Sequence, residues 1–401
     1  MLELFINKKE DEKQILLTEE GKLIEYYNSK NIENRNEGNI FIGIVKDILV
    51  GMNAAFVDIG TEKNSYIQAK DIIPQLDEKK AENKEKRAEQ DKIDIRKIIK
   101  PNQRLLVQVR KDSNELKGAR ITTHITIPSK YIVFMPNTDI ITISQKIINK
   151  QEQERLLKIV KENIGAGNGA VIRTSAIGKE QEIIDDIKRV KVQWEKIKQE
   201  FQSSAETKPK ILYKSPSILQ KMLIDLPSRD IETIISNDKK ELDDVKKFVS
   251  EDKELKDVEF KLVPTKKLES TYDLNSQVEK IEKRKIWLKC GGFITIDPTE
   301  ALTAIDVNTG KYTEGKNLND IIYKVNEQAT HEIAKQIRLR DIGGIIIIDY
   351  IDMFRKGDKE KIQETLEEIL KEDRAKTQVE GFTKLNLMEM TRKHICSHKD
   401  K

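Results

Sequence analysis

Thr299-Glu300-Ala301-Leu302-Thr303-Ala304-Ile305-Asp306-Val307-Asn308-Thr309-Gly310, followed by Leu339-Arg340-Asp341-Ile342-Gly343-Gly344-Ile345-Ile346-Ile347-Ile348-Asp349, decides how the carboxyl-terminal part of this chain folds. The two stretches read as buried strands that each deliver a carboxylate, joined by an amphipathic helix. A strand-helix-strand crossover lays its strands parallel, so side chains at their carboxyl ends emerge on one edge of the sheet. Asp306 and Asp349 are therefore expected to converge. Alternation puts Ile305 and Val307 on one face of the first strand, and Asp306 and Asn308 on the other.

The connecting helix is visible in spacing. Leu318, Ile321, Ile322, Val325, Ala329, Ile333 and Ile337 recur at threes and fours behind the capping residue Asn317, and Gly343-Gly344 ends the run. The isoleucines Ile345 to Ile348 are β-branched and apolar on both faces, which predicts a strand covered on both sides.

Two carboxylates and an amide at one edge form an all-oxygen donor set of the kind Mg²⁺ accepts, since the ion binds through one or two protein carboxylates plus waters and a substrate phosphate. Phosphodiester chemistry suits this arrangement. A strand-terminal Asp also serves as a turn or helix cap, so the spacing alone leaves both readings open.

The motifs TEALTAIDVNTG, EIAKQIRLRDIGGIIIIDYIDM, EDRAKTQ and LMEMTR stand in an order that resembles the catalytic core of the ribonuclease E/G family, with weaker similarity running to the amino terminus. The resemblance implies magnesium binding at Asp306 and Asp349, support from Asn308, and a basic group, Arg374, beside the scissile phosphate. It also implies cleavage of single-stranded RNA to 5′-phosphate and 3′-hydroxyl ends, in RNA decay and ribosomal RNA processing. The competing reading is a non-catalytic RNA-binding factor acting in ribosomal RNA maturation. Retention of Asp306, Asn308 and Asp349 argues against it.

Composition bounds the alternatives. The 401 residues exceed one ordinary core and predict several domains. Charged residues make up 35%, and no apolar stretch approaches the ~18 residues that would span a membrane. The amino terminus lacks an export signal, so a soluble, cytoplasmic protein is expected. The formal charge of +4 is too balanced to imply polyanion binding by itself. Four scattered histidines disfavour a two-histidine acid-base nuclease, and no phosphate-cradling Gly-x-x-x-x-Gly-Lys loop occurs. Cys290 and Cys396 are too few for a disulfide framework.

Short alternating strands at 37–45, 54–60, 65–67 and 104–109, punctuated by Gly and Asn, predict a small barrel. The stretch GNIFIGIVKDILVGMNAAFVDIGTEKNSYIQAKDI resembles the S1 class of OB-fold, which stacks single-stranded RNA on aromatic residues over a basic groove. Phe56 and Tyr66 match stacking positions, and Lys111 and Lys117 match RNA-touching lysines. Residues 75–100 read as a charged insertion, helical or disordered.

Residues 119–205 carry a strand at Tyr131 to Met135, a helix at Gln151 to Asn163, a strand ending in Arg173-Thr174 and a long helix from Glu180. The resemblance makes this module a sensor of an RNA 5′-monophosphate, with Val133, Arg173 and Thr174 as contacts. An arginine fork beside a hydroxyl is suitable chemistry for a terminal phosphate. Ser129 and Gln145 depart from the family pattern, where Gly and Arg are usual, and predict a weaker pocket.

The resemblance completes an α+β, multidomain organisation. It comprises a ribonuclease-H-like domain from 1–35 and 206–274, an S1-type OB barrel from 36–118, the sensor, a DNase-I-like catalytic domain from 275–392 and a polar tail from 393–401. Asp225, Asp230 and Asp238 form no catalytic set. Related enzymes share zinc between two chains through a Cys-Pro-x-Cys motif that is missing here, where only Cys396, His394 and His398 stand near the end. Structural zinc is therefore not expected, and self-association, if present, is expected as a dimer through the catalytic domain.

Overall fold

The computed structural model describes residues 2–10, 12–28, 36–72, 94–113, 117–204, 208–226, 231–250, 258–310 and 317–395. They fall into two compact units. One holds the described residues of 1–33 and 229–399, the other those of 34–228. The fold is mixed α/β and multidomain, built on four sheets. Most of the 75–100 insertion lies outside the described residues, as do Asp230, Cys396 and His398.

The chain begins with an antiparallel meander, β1 (Leu2–Lys8), β2 (Lys13–Glu19) and β3 (Lys22–Asn28). The barrel follows: β4 (Ile40–Leu49), β5 (Ala54–Asp58), β6 (Ser65–Gln68), β7 (Arg104–Lys111) and β8 (Arg120–Thr122). Pairings run β4-β5-β6-β8-β7 and return from β7 to β4, so this five-stranded barrel is closed. Closure removes the exposed strand edges that would otherwise template association. Ile95 and Ile99, at the end of the charged insertion, are buried in the barrel core.

Next come β9 (Ile127–Pro128), β10 (Ile132–Pro136), β11 (Ile141–Ile143), α1 (Lys150–Ile164), β12 (Asn168–Ile172) and α2 (Gln181–Ser203). Leu156, Ile159 and Val160 of α1 and Ile183, Ile187, Val190 and Trp194 of α2 share one core with the strands. Both helices expected here are present, and each packs through apolar residues spaced at threes and fours.

Then β13 (Lys210–Tyr213) pairs with β4 of the barrel, and α3 (Ile218–Asp225) belongs to the same unit. The sheet begun by β1 resumes only with β14 (Ile231–Ser236), followed by α4 (Lys239–Ser250) and β15 (Glu259–Leu262), in the order β15-β14-β1-β2-β3. Helices α5 (Thr265–Tyr272) and α6 (Leu274–Ile281) bury Leu268, Leu274 and Ile281 with Phe5 and Leu16. The cluster thus joins residues of 265–281 to the sheet begun by β1.

The last sheet contains β16 (Lys285–Trp287), β17 (Phe293–Pro298), β18 (Leu302–Asn308), β19 (Gly344–Asp349), β20 (Thr377–Phe382) and β21 (Leu387–Arg392), in the order β16-β17-β18-β19-β21-β20. Its helices are α7 (Leu318–Leu339) and α8 (Asp358–Leu370). Asn317 caps α7, accepting a hydrogen bond from the Asn319 backbone at 3.1 Å. One expectation is overturned here. Ile346 and Ile348 are buried against α7 and α8, while Ile345 is 50% exposed and Ile347 half-buried. Among the described residues the sheet is covered on one face, because the helices that pack on it share that face's core.

Candidate functional site

β18 and β19 run parallel with α7 between them, and their register sets Asp306 opposite Asp349. Ile305 and Val307 point into the core while both carboxylates are exposed on the open face. The Asn308 amide donates to the Asp306 carboxylate. Burial, and then the charges of Asp306 and Asp352, push the Asp349 carboxyl above the usual carboxylate range. Among the described residues neither Asp306 nor Asp349 has an ion-pair partner, although Arg284, paired with Asp297 at 2.5 Å, feels the charge of Asp306.

The loop after Asp349 is held from beneath. Buried Asn326 of α7 donates to the Ile351 carbonyl at 2.8 Å and accepts from the Ile351 backbone at 3.1 Å. The Tyr350 hydroxyl lies 2.9 Å from that of Thr330. On the other side, Gly310 adopts φ +61°, and a Cβ there would come within 2.3 Å of the Gly291 carbonyl. Glycine thus lets the entry to β17 lie against the end of the strand that carries Asp306 and Asn308.

Arg374, expected beside the scissile phosphate, has protein partners of its own. Its guanidinium is buried in an ion pair with Glu25 of β3, with Nε donating at 3.0 Å and Nη2 bonding the second oxygen, and Nη2 also reaches the Tyr27 hydroxyl at 3.0 Å. A buried cation requires such partners, and these bonds give Arg374 a structural place. Nearby, buried Arg392 ties Asp373 and Asp341 together, each at 2.8 Å.

On the barrel, register aligns Phe56 of β5 with Tyr66 of β6, Tyr66 with Arg120 of β8, and Arg120 with Lys111 of β7. The flanking Ala55, Val57, Ser65 and Ile67 are buried, so this row of two rings and two cations faces outward. The rings meet edge-on, 6.4 Å between centroids at 65°. Buried Asp71 holds Arg120 at 3.0 Å and Arg110 at 3.3 Å. Lys117 is exposed, three residues before β8 begins.

In the module of β9–β12, Val133 of β10 pairs with Val171 of β12, and Arg173 and Thr174 follow that strand. Arg173 donates to the Ser129 carbonyl at 2.9 Å and forms an ion pair with Asp225. Thr174 and Gln145 are exposed. Ser129 is buried, and its hydroxyl donates to Asp186 at 2.5 Å while accepting from Arg189 at 3.0 Å. Glu152 accepts from Arg155 at 2.7 Å and from the Gly178 backbone at 2.8 Å, bonds that hold its carboxyl down at about 2.

Sequence reasoning missed Arg120, Arg189, Asn326 and the acidic partners of Arg173 and Arg374. Arg120 was within reach, since it lies in the strand that follows Lys117-Gly118. The others depend on partners far along the chain. Asp238 caps α4 through the Glu241 backbone at 2.9 Å and pairs with Lys8 at 3.1 Å, a structural arrangement. Among the described residues no helix is long and apolar enough to cross a membrane.

Comparison with known proteins places the chain in a family. Residues 126–395 match the family described as Ribonuclease E/G. The chain is 36% identical over 403 residues to Ribonuclease G of Escherichia coli strain K12, covering 98% of this chain and 79% of that protein. It is 37% identical over 395 residues to Ribonuclease G of Haemophilus influenzae, with the same coverage. Ribonuclease E of Nostoc sp. is 32% identical over 394 residues, covering 95% of this chain and 56% of that protein.

Proposed function

This chain belongs to the ribonuclease E/G family, and from that premise we propose that it is an endoribonuclease of RNA processing that cleaves single-stranded RNA with Mg²⁺ held by Asp306 and Asp349. The observation that supports the reading is the register pairing of these carboxylates on an open sheet face, beside the Asn308 amide. The donor set is all oxygen, and burial, then the charges of Asp306 and Asp352, already disfavour the ionised Asp349, so a hard divalent cation fits both the chemistry and the electrostatics.

Asp306 and Asp349 would hold the cation, which would supply Lewis acidity toward a water and offset for negative charge on the phosphate. Asn308 orients Asp306 through its amide. Asn326 and the Tyr350–Thr330 contact hold the loop that follows Asp349, so neither carboxylate must reorganise when substrate arrives. On the barrel, Phe56 and Tyr66 offer ring faces to bases, while Arg120, Lys111 and Lys117 face the backbone phosphates. Arg173 and Thr174 receive a 5′-monophosphate, in competition with Asp225. The products are 5′-phosphate and 3′-hydroxyl fragments.

The test is incubation of a defined single-stranded RNA with the full chain, with and without Mg²⁺. Magnesium-dependent internal cleavage is expected. Tight RNA binding with no cleavage at any divalent concentration would replace this reading with that of a non-catalytic RNA-binding factor.

A further inference from the structure

The open face of the carboxyl-terminal sheet carries a second feature beside the carboxylates. Register gives two cross-strand rows. Lys285, Thr295, Asp306 and Asp349 form one, and Trp287, Phe293 and Asn308 form the next. Adjacent strands lie ~5 Å apart, so the Phe293 ring sits beside Asn308 and Trp287 one strand further out. Trp287 is 59% exposed. It meets Phe293 edge-on, with 5.3 Å between centroids at 61°. The Lys285 ammonium lies 4.2 Å from the Trp287 ring centre and 3.5 Å from that of Phe293.

An exposed tryptophan on an edge strand leaves apolar surface in water, and two rings with a cation between them are suited to a flat, anionic ligand. A nucleobase attached to phosphate is such a ligand. We propose that Trp287 and Phe293 form a stacking platform for the base of a nucleotide adjoining the cleaved phosphate, with Lys285 facing that nucleotide's backbone. The inference rests on the reading given above, and it supplies the catalytic sheet with a base contact of its own, separate from the barrel. Charge complementarity favours RNA as the occupant, because Lys285 is a cation and the neighbouring carboxylates are matched to a cation-bridged phosphate. A stack there positions the phosphate without distinguishing strongly among bases, since every base has a π-face.

The chain has two tryptophans, and Trp194 is only 6% exposed. Emission changes on RNA binding that disappear in Trp287→Phe therefore report on Trp287. The experiment uses the full chain carrying Asp306→Asn, titrated with a short single-stranded oligoribonucleotide and read by tryptophan emission and by anisotropy of labelled RNA. Emission should be quenched on binding. Trp287→Ala should weaken affinity by about tenfold, while Trp287→Phe should hold it within about threefold. With the Asp306 chain restored, Trp287→Ala should raise KM far more than it lowers kcat.

Unchanged affinity in Trp287→Ala, with or without lower thermal stability, would assign the pair to edge-strand packing and overturn the proposal. Concentration-dependent quenching without RNA would assign the face to a protein contact and overturn it too. If the parent chain cleaves RNA and Trp287→Ala behaves as the parent, this proposal fails and the functional reading stands. If the parent neither binds nor cleaves RNA, the functional reading fails.

Discussion

The open edge of the carboxyl-terminal sheet and the module of β9–β12 are opposite electrostatic cases. Asp306 and Asp349 face each other across β18 and β19 with no basic ion-pair partner among the described residues, and burial, then the charges of Asp306 and Asp352, make Asp349 resist ionisation. Arg173, by contrast, already has Asp225, and Arg189 already has Asp186. Unmet negative charge calls for a cation. Met positive charge means that an incoming phosphate must compete with a carboxylate before it gains anything. On the proposed function, the first region needs only to gain a ligand, whereas the second has to exchange one partner for another.

The comparison breaks most decisively at the carboxylates. Asp306→Asn and Asp349→Asn should each lower cleavage by ~10²-fold or more, because one anionic ligand and its share of transition-state charge stabilisation are lost. RNA affinity should stay close to that of the parent. Both substitutions relieve carboxylate repulsion and keep the side-chain shape, so thermal stability should hold or rise slightly. Near-parent turnover of either variant in magnesium would remove the pair from the reaction.

Arg374 provides the next largest effect, and on a different axis. Removing one partner of a buried ion pair strands the other charge, at roughly 3–5 kcal/mol. Arg374→Gln should therefore lower unfolding free energy in urea by about that much, with RNA cleavage per folded molecule lowered far less. A stable variant with cleavage abolished would instead show that Arg374 leaves Glu25 to meet the phosphate.

On the barrel, Phe56→Ala should weaken RNA affinity by ~1–3 kcal/mol if the ring stacks on a base. Direct binding to labelled RNA measures it. Lower thermal stability with unchanged affinity per folded molecule would return Phe56 to a packing role within its row with Tyr66 and Arg120.

What the sequence revealed follows from the range of the interactions involved. Helix α7 was legible from end to end because its cap and its threes-and-fours spacing are local, and the facing of Asp306 away from Ile305 and Val307 follows from strand alternation alone. The face left open by Ile345 to Ile348 was not legible, since a run of β-branched residues reads alike whether one face or both are covered. Arg374 and Glu25 lie 349 residues apart in the chain. No local pattern announces such a pair, and a motif that supplies an arginine says nothing of the carboxylate that holds it. Ser129 is similar. It departs from the family pattern as a single residue, yet in the fold it is a buried donor to Asp186.

The smallest expected effect is also the one that sharpens the comparison. If Arg173 must leave Asp225 to hold a 5′-monophosphate, RNA bearing that group should be cut only a few-fold faster than the same RNA with a 5′-hydroxyl, because an exchange of ionic partners in a partly exposed setting yields about 1 kcal/mol or less. Arg173→Ala should abolish the difference. Asp225→Asn should do the reverse, since it keeps the shape but weakens the competitor, and the preference for the monophosphate should widen. The two variants make opposite predictions from one contact, and side-by-side cleavage rates on the two RNAs read both. Equal rates for the parent chain, with no gain in Asp225→Asn, would mean that the fork serves only to join β12 to α3.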